Sequence, residues 1–294
     1  MENESNRQSS VVEPLLDLAN FAWEAAPRLC EASHQCQDYH RAWSLVRLLS
    51  GQGKLPAGED FFGREFARLA QRGALRVLVS GGADSGLTTI VLRSCRAVGV
   101  EPEIVFADRC ATACELNRRL AAALGARIEI VQGDIRSLAI APVDVVVAHT
   151  FLPFFEGDAR QEVLESWQRN GKPGAEILMS NVLREQESDW TSHKDIEAID
   201  RRGEQLEQAA LAAGHAPDVA SEMAQTAGRL WRSVPTRPPG LTEANLRAGL
   251  ERAGFGMIRI QSSEHGLFDG PLSMVNQRSG RRRAEISAVR LAGG

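Results

Sequence analysis

From Arg76 onward the chain alternates short apolar runs with helical stretches of about 10–13 residues, and this alternation restricts the fold more than any other feature. The runs are Val77-Leu78-Val79, Glu103-Ile104-Val105-Phe106-Ala107, Arg127 to Val131, Val143 to Ala148 and Glu176 to Ser180. Helices are expected between them at about Leu87–Ala97, Thr112–Leu124 and Ala159–Arg169, the first two closed by Gly99 and Gly125. Runs that stay apolar, rather than alternating with polar residues, belong to strands buried on both faces, as in a parallel sheet. Right-handed crossovers then make the expected fold a doubly wound α/β unit.

The flanks read differently. Met1 to Ser10 is a polar tail, followed by helices at about Val11–Leu29 and His34–Leu49. In the second of these, Tyr39, Ala42, Trp43, Val46 and Leu49 recur at helical spacing. Gly51–Gly58 is the linker candidate, and Asp60 is the expected N-cap of a third helix running to Gly73. After Arg184 the sequence is polar and helical, near 194–213 and 217–231, and the Pro-rich turn Val234 to Gly240 closes it. Thr242 should cap a helix ending at Gly254, with final strands at Gly256–Ile260 and Glu285–Leu291. Four segments follow: a helical lid (1–58), a ligand-binding core (59–184), a helical insertion (185–240) and a helix with strands completing the sheet (241–294).

Composition narrows the function classes. In 294 residues, 34 Lys+Arg against 38 Asp+Glu leave a net charge of −4, which argues against a general nucleic-acid binder. No apolar run reaches about 18 residues, so no membrane helix is expected. The five cysteines, Cys30, Cys36, Cys95, Cys110 and Cys114, lack a tight metal-ligand rhythm; they read as reduced thiols of a cytoplasmic protein with no metal. The single tyrosine, Tyr39, precedes the whole sheet, which removes tyrosine-based hydride transfer.

The first apolar run ends in Ser80-Gly81-Gly82-Ala83-Asp84-Ser85-Gly86, directly before a helix. Glycines there allow backbone to approach a ligand closely, while N–H groups of the helix start point at it. Asp108 ends the next run, where a carboxylate can accept both hydroxyls of a ribose. A ribose-bearing cofactor is the expectation, against a plain tight turn with a solvated aspartate. The turn is one substitution from a dinucleotide fingerprint, so an NAD-dependent oxidoreductase stays open. Against it stand the long helical segment before the turn and Gly133-Asp134-Ile135 after the third run, where a second carboxylate suits an adenine better than a phosphate.

These residues resemble the class I S-adenosylmethionine-dependent methyltransferases. Val77 to Thr88 aligns without gaps on that family's first motif, Asp108 on its ribose-binding acid and Gly133-Asp134-Ile135 on its adenine-contacting motif. Lys172-Pro173-Gly174-Ala175-Glu176-Ile177-Leu178 resembles the turn into the fifth strand, and Leu241 to Ile260 the final helix and the strand after it. The resemblance covers roughly 70–183 and 240–292. It implies S-adenosylmethionine as cofactor and S-adenosylhomocysteine as product, with Ser80, Gly81, Gly82, Ala83, Asp84, Asp108, Arg109, Gly133, Asp134, Ile135, His149 and Thr150 around it. The chain departs from the pattern at Val79, where the family usually carries an acid, and at Ala83 and Ser85, where it has or commonly has glycine. Asp84 is the substitute for the missing acid, or backbone carbonyls suffice.

The reactive group would sit beyond the fourth strand, at Ala148-His149-Thr150-Phe151-Leu152-Pro153-Phe154-Phe155. His149 reads as a general base or as a histidine that bonds backbone or cofactor. Phe151, Phe154 and Phe155 line an acceptor pocket or pack in the core. Tyr39, His40 and Trp43 share adjacent helical faces, over a sulfonium in the lid or simply buried; Tyr39 and His40 join His149 as catalytic candidates. Arg232 and Arg237 flank Pro235 and suit an anionic substrate group or solvent, and Arg281-Arg282-Arg283 reads as a turn with the same ambiguity. The expectation is methyl transfer to a small molecule, with no nucleic-acid or membrane partner and a homodimer left open. Alternatives are the oxidoreductase, non-methyl alkylation with the same cofactor, or binding without catalysis.

Overall fold

A computed structural model of the chain describes residues 11–32, 36–49, 59–185, 196–233, 241–263 and 281–292. The polar tail, the Gly51–Gly58 linker and the Val234 to Gly240 turn with Pro235 and Arg237 lie outside them.

Seven strands form one sheet in the order β3-β2-β1-β4-β5-β7-β6. β1 (Arg76–Ser80) lies between β2 (Glu103–Asp108) and β4 (Val143–His149), with β3 (Ile128–Gln132) outside β2 and β5 (Gly171–Arg184) outside β4. These five run parallel, with Val77 opposite Val145, Val79 opposite Phe106 and Asp108 opposite Gln132. Val77, Leu78 and Val79 are fully buried, as their unbroken hydrophobicity requires of a strand covered on both faces. β7 (Arg281–Arg290) inserts antiparallel between β5 and β6 (Phe255–Ser262). Strand order reverses between β1 and β4, and in doubly wound sheets that switch point is where ligands bind.

Two apolar layers hold the helices on. On one face, α3 (Glu59–Leu69), α4 (Gly86–Ala97) and α5 (Ala111–Leu124) bury Phe62, Phe66, Ile90, Leu92, Leu116 and Leu120. On the other, α6 (Gly157–Asn170) and α9 (Glu243–Arg252) bury Leu164, Trp167, Leu246 and Leu250. Local chemistry sets the helix ends. Gly125 closes α5 in the left-handed region, at φ +57°, and Thr242 caps α9 in a reciprocal pair with Asn245. Asp60 does not cap α3, which already includes Glu59.

The lid and the insertion, separate in sequence, are one unit in space. α1 (Leu15–Leu29) and α2 (Gln37–Leu49) pack against α7 (Ile196–Ala212) and α8 (Pro217–Ser233) through Ala42, Leu206, Leu230 and Trp231, and through Ala19, Leu45, Ala210 and Met223. Among the described residues, no helix is long and apolar enough to cross a membrane.

In the first half of β5, an interior strand, Glu176 anchors the end of α3. Arg68 grips both of its carboxylate oxygens, and Arg72 lies 2.6 Å from Oε1. Burial alone would raise this carboxyl; the two guanidinium partners outweigh it and hold Glu176 below the usual glutamate range. A carboxyl depressed in the folded state stabilises the protein above its unfolded value, and that contribution is lost as pH falls through the depressed one. Glu176→Gln should therefore lower stability by about 1–2 kcal/mol at neutral pH. In urea unfolding at successive pH values, the gap to wild type should close on the acid side; a gap independent of pH would refute the assignment.

Candidate functional site

The site is built at the carboxyl ends of β1, β2 and β4. After Ser80 the chain turns through Gly81, whose φ is +72° and whose N–H bonds the Ala107 carbonyl at 2.9 Å. The Phe151 ring lies directly on Gly81, where a Cβ would come within 2.9 Å of the ring Cζ. Glycine is needed there for conformation and for space. Asp108 faces this turn: its carboxylate accepts the Gly82 N–H at 3.1 Å and the Cys110 N–H at 2.7 Å. Burial pushes the Asp108 carboxyl up from its ordinary range, against these N–H groups and the nearby His40.

The other cofactor candidates divide. Gly133 follows β3 and bonds the Asp108 carbonyl at 3.0 Å, so the turns after β2 and β3 are tied together. Asp134 caps a short 3₁₀ turn, Ile135–Ser137, and pairs with Arg136 at 2.6 Å, which holds its carboxyl below the usual range. Ile135 is buried, and Arg109 is exposed. Ser80 is buried, its hydroxyl accepting the Trp167 indole N–H at 2.8 Å. Asp84 departs from expectation. Instead of standing in for an acid at Val79, it takes the Gly86 N–H at 2.9 Å, which fastens the start of α4, and it pairs with Arg47 of the lid. Arg47 also reaches Glu13 at 2.6 Å, so one guanidinium joins the segment before α1 to the glycine turn.

At the end of β4, the His149 Nε2 lies 3.0 Å from Arg283 Nη1, which also donates to the Ser180 hydroxyl at 3.0 Å. A guanidinium can only donate, so Nε2 accepts and the imidazole is neutral in this arrangement. The pair thus commits the nitrogen that a general base at this position would use. Thr150 follows with φ +49° and donates its N–H to the Ser180 carbonyl at 2.7 Å, a left-handed residue where β4 leaves the sheet. The Arg281-Arg282-Arg283 run is therefore not a turn. It opens β7, with Arg283 buried and Arg282 paired to Glu243. Arg283, read in the sequence only as part of an ambiguous arginine run, is placed beside His149 and Ser180 at the end of β4.

The lid places Tyr39 over this edge. Its ring centroid is 5.6 Å from Trp43 and 6.3 Å from Phe154, which is itself exposed beyond β4. Burial pushes the Tyr39 phenol above its ordinary value, and the charges of Asp84 and Asp108 add to the effect. Tyr39 is thus kept protonated, a donor rather than a base. His40 is buried; its Nδ1 donates to the Ala83 carbonyl at 2.9 Å and its ring contacts the thiols of Cys36 and Cys110, so it faces inward. Phe151 and Phe155 meet edge to face at 5.0 Å and pack against the core. Arg232 is exposed on α8 and pairs with Asp200 of α7, within the helical cap.

The fold defined by this sheet order, with its reversed final strand and its glycine turn after β1, is that of the class I S-adenosylmethionine-dependent methyltransferases. No protein-family model matches the chain. It is 28% identical over 114 residues to a carboxy-S-adenosyl-L-methionine synthase of Pseudomonas fluorescens, covering 37% of this chain. The match spans 46% of that protein, so less than half the length of the relative is represented. Among solved structures, the [4+2]-cyclase SpnF superposes with a TM-score of 0.54 at 15% identity, over 88% of this chain and 95% of that one. A Haemonchus contortus phosphoethanolamine N-methyltransferase, in complex with phosphomonomethylethanolamine and S-adenosylhomocysteine, gives 0.54 at 12%, over 88% and 59%.

Proposed function

We propose that the chain binds S-adenosylmethionine between the glycine turn and Asp108 and transfers its methyl group to a small molecule. The observation that carries this reading is Asp108. Its carboxylate is fixed by two backbone N–H groups at the end of β2, facing a glycine turn of the kind that lets a nucleoside approach the backbone. The residues present fit the ribose half of the cofactor. The amino-acid half meets Val79 in place of an acid, and Asp84 is already committed to Arg47 and α4.

When bound, the sulfonium would supply an already activated methyl group, so positioning and exclusion of water do most of the remaining work. Tyr39, Trp43 and Phe154 form the aromatic side of that enclosure, and a ring against a sulfonium contributes about 1–2 kcal/mol when desolvated. His149, held by Arg283, orients the far wall. The acceptor enters between the end of β4 and the helical cap.

Titration calorimetry with S-adenosylhomocysteine tests the reading. Asp108→Ala should weaken binding by about 1–3 kcal/mol, or about 5- to 150-fold. Equal affinity would count against the ribose role, and stabilisation by NADH with none by S-adenosylhomocysteine would favour the oxidoreductase. A second reading rests on the buried Arg283 at the end of β4 together with the likeness to the carboxy-S-adenosyl-L-methionine synthase. In that reading S-adenosylmethionine is a substrate: its methyl carbon loses a proton and takes the carboxyl group of a carboxylic-acid co-substrate, the proton passes to the decarboxylated donor, and the Arg283 guanidinium pairs with the new carboxylate. Mass spectrometry of the products separates the two: S-adenosylhomocysteine marks methyl transfer, and a carboxylated sulfonium marks the other.

A further inference from the structure

Three cysteines far apart in sequence meet beneath the lid. Cys30 closes α1, Cys36 immediately precedes α2 and Cys110 is the N-cap of α5. The Sγ atoms of Cys30 and Cys110 are 3.6 Å apart, those of Cys36 and Cys110 are 3.8 Å apart, and all three thiols lie within 4.8 Å of one another. We propose that Cys30, Cys36 and Cys110 hold a zinc ion that fastens the helical cap to the cofactor-binding edge.

The separations carry the argument. Zinc–thiolate bonds of about 2.3 Å in a tetrahedron set sulfur–sulfur distances of about 3.8 Å. The observed 3.6 and 3.8 Å are that spacing, and they are far longer than the roughly 2.05 Å bond of a disulfide. A disulfide would in any case use two thiols and strand the third beside a histidine. Three sulfurs supply three of the four positions of a tetrahedral zinc ion.

The surroundings are those of metal ligands. His40 Nδ1 donates to the Ala83 carbonyl at 2.9 Å, which ties the segment carrying Cys36 to the glycine turn. The His40 N–H bonds the Cys36 carbonyl at 3.0 Å, so the two residues stand one helical turn apart on the same face. Cys36 and Cys110 each sit at a helix N-terminus, where the helix dipole favours an anionic sulfur. The Thr112 hydroxyl lies 3.2 Å from the Cys30 sulfur. Two of the outer contacts belong to the cofactor edge itself: Ala83 is in the glycine turn, and the Cys110 N–H binds the Asp108 carboxylate. The sequence hid this set because the thiols come from two chain segments and pair only through the packing of α1 and α2 against α5.

The test is elemental analysis of the full chain, purified without chelator after expression in zinc-supplemented medium and measured in the absence of any adenosyl compound. About one zinc per chain is expected. Cys110→Ser should bring zinc down to the buffer blank, while Cys95→Ser, whose thiol is buried in the apolar layer between α4 and the sheet, should keep it. Cobalt substituted into the wild-type chain should show thiolate-to-metal charge transfer and the intense visible bands of a tetrahedral ion. X-ray absorption of the wild-type zinc protein, which is independent of whether any variant folds, should show three sulfur neighbours. Wild-type protein without zinc, an oxygen-dominated zinc shell, or a disulfide within the trio would each overturn the site. These readouts involve no cofactor, so they stand or fall separately from the proposed methyl transfer.

Discussion

Arg47→Ala is expected to destabilise the chain by about 3–5 kcal/mol, a large share of a typical folding margin. The Arg47 side chain is 8% exposed, and its partners Glu13 and Asp84 are each 5% exposed. One guanidinium spans both carboxylates, and Glu13 also accepts the Ser85 hydroxyl at 2.6 Å. Alanine would leave two buried negative groups facing each other without a counter-charge, which is much worse than losing the pair as a whole. Arg47→Lys should recover only part of the loss, since one ammonium cannot reproduce a fork that grips two carboxylates. Combining Arg47→Met with Asp84→Asn and Glu13→Gln should recover more, because the buried charges go together. Urea unfolding followed by tryptophan fluorescence reads all three. A loss below about 1 kcal/mol for Arg47→Ala would show that the lid is not fastened through this residue.

The contrast between Arg47 and the strands shows what a sequence discloses. Val77 to Val79 and Val145 to Ala148 are buried on both faces, so their hydrophobicity states their role without reference to any partner. Gly125 and Thr242 likewise announce helix ends, because the chemistry is completed within a few residues. The position of Asp108 at the end of β2 was legible for the same reason: strand, turn and helix fix it locally. Arg283 was not. A run of three arginines reads as solvated, and only pairing with β5 brings Arg283 to Ser180 and His149. Asp84 misled in the opposite way, since its nearness to the glycine turn suggested a ligand contact, while its actual partner Arg47 comes from a distant helix. The merging of lid and insertion into one helical unit is of this kind too: each segment shows an apolar face, and neither says which face meets which.

Gly81→Ala should be the most damaging conservative change in the glycine turn, with a loss of about 2–5 kcal/mol from two separable terms. The first is conformational. At φ +72° an L-residue is strained, by roughly 1–2 kcal/mol. The second is steric, because the new methyl overlaps the edge of the Phe151 ring. That ring has little freedom to move. It packs at 5.0 Å on Phe155 and stacks at 6.5 Å on Trp167, whose indole is itself tethered to Ser80. Displacing Phe151 therefore disturbs the base of β1 from the other side, and overpacking of this kind typically costs about 1–3 kcal/mol. Pairing the change with Phe151→Ala isolates the two terms: measured in that background, Gly81→Ala should show the torsional part alone. Urea unfolding of the four proteins gives the coupling, and the steric account requires a substantial one. If Gly81→Ala is equally harmful with and without the Phe151 ring, the ring does not confine the turn, and backbone conformation alone explains the glycine.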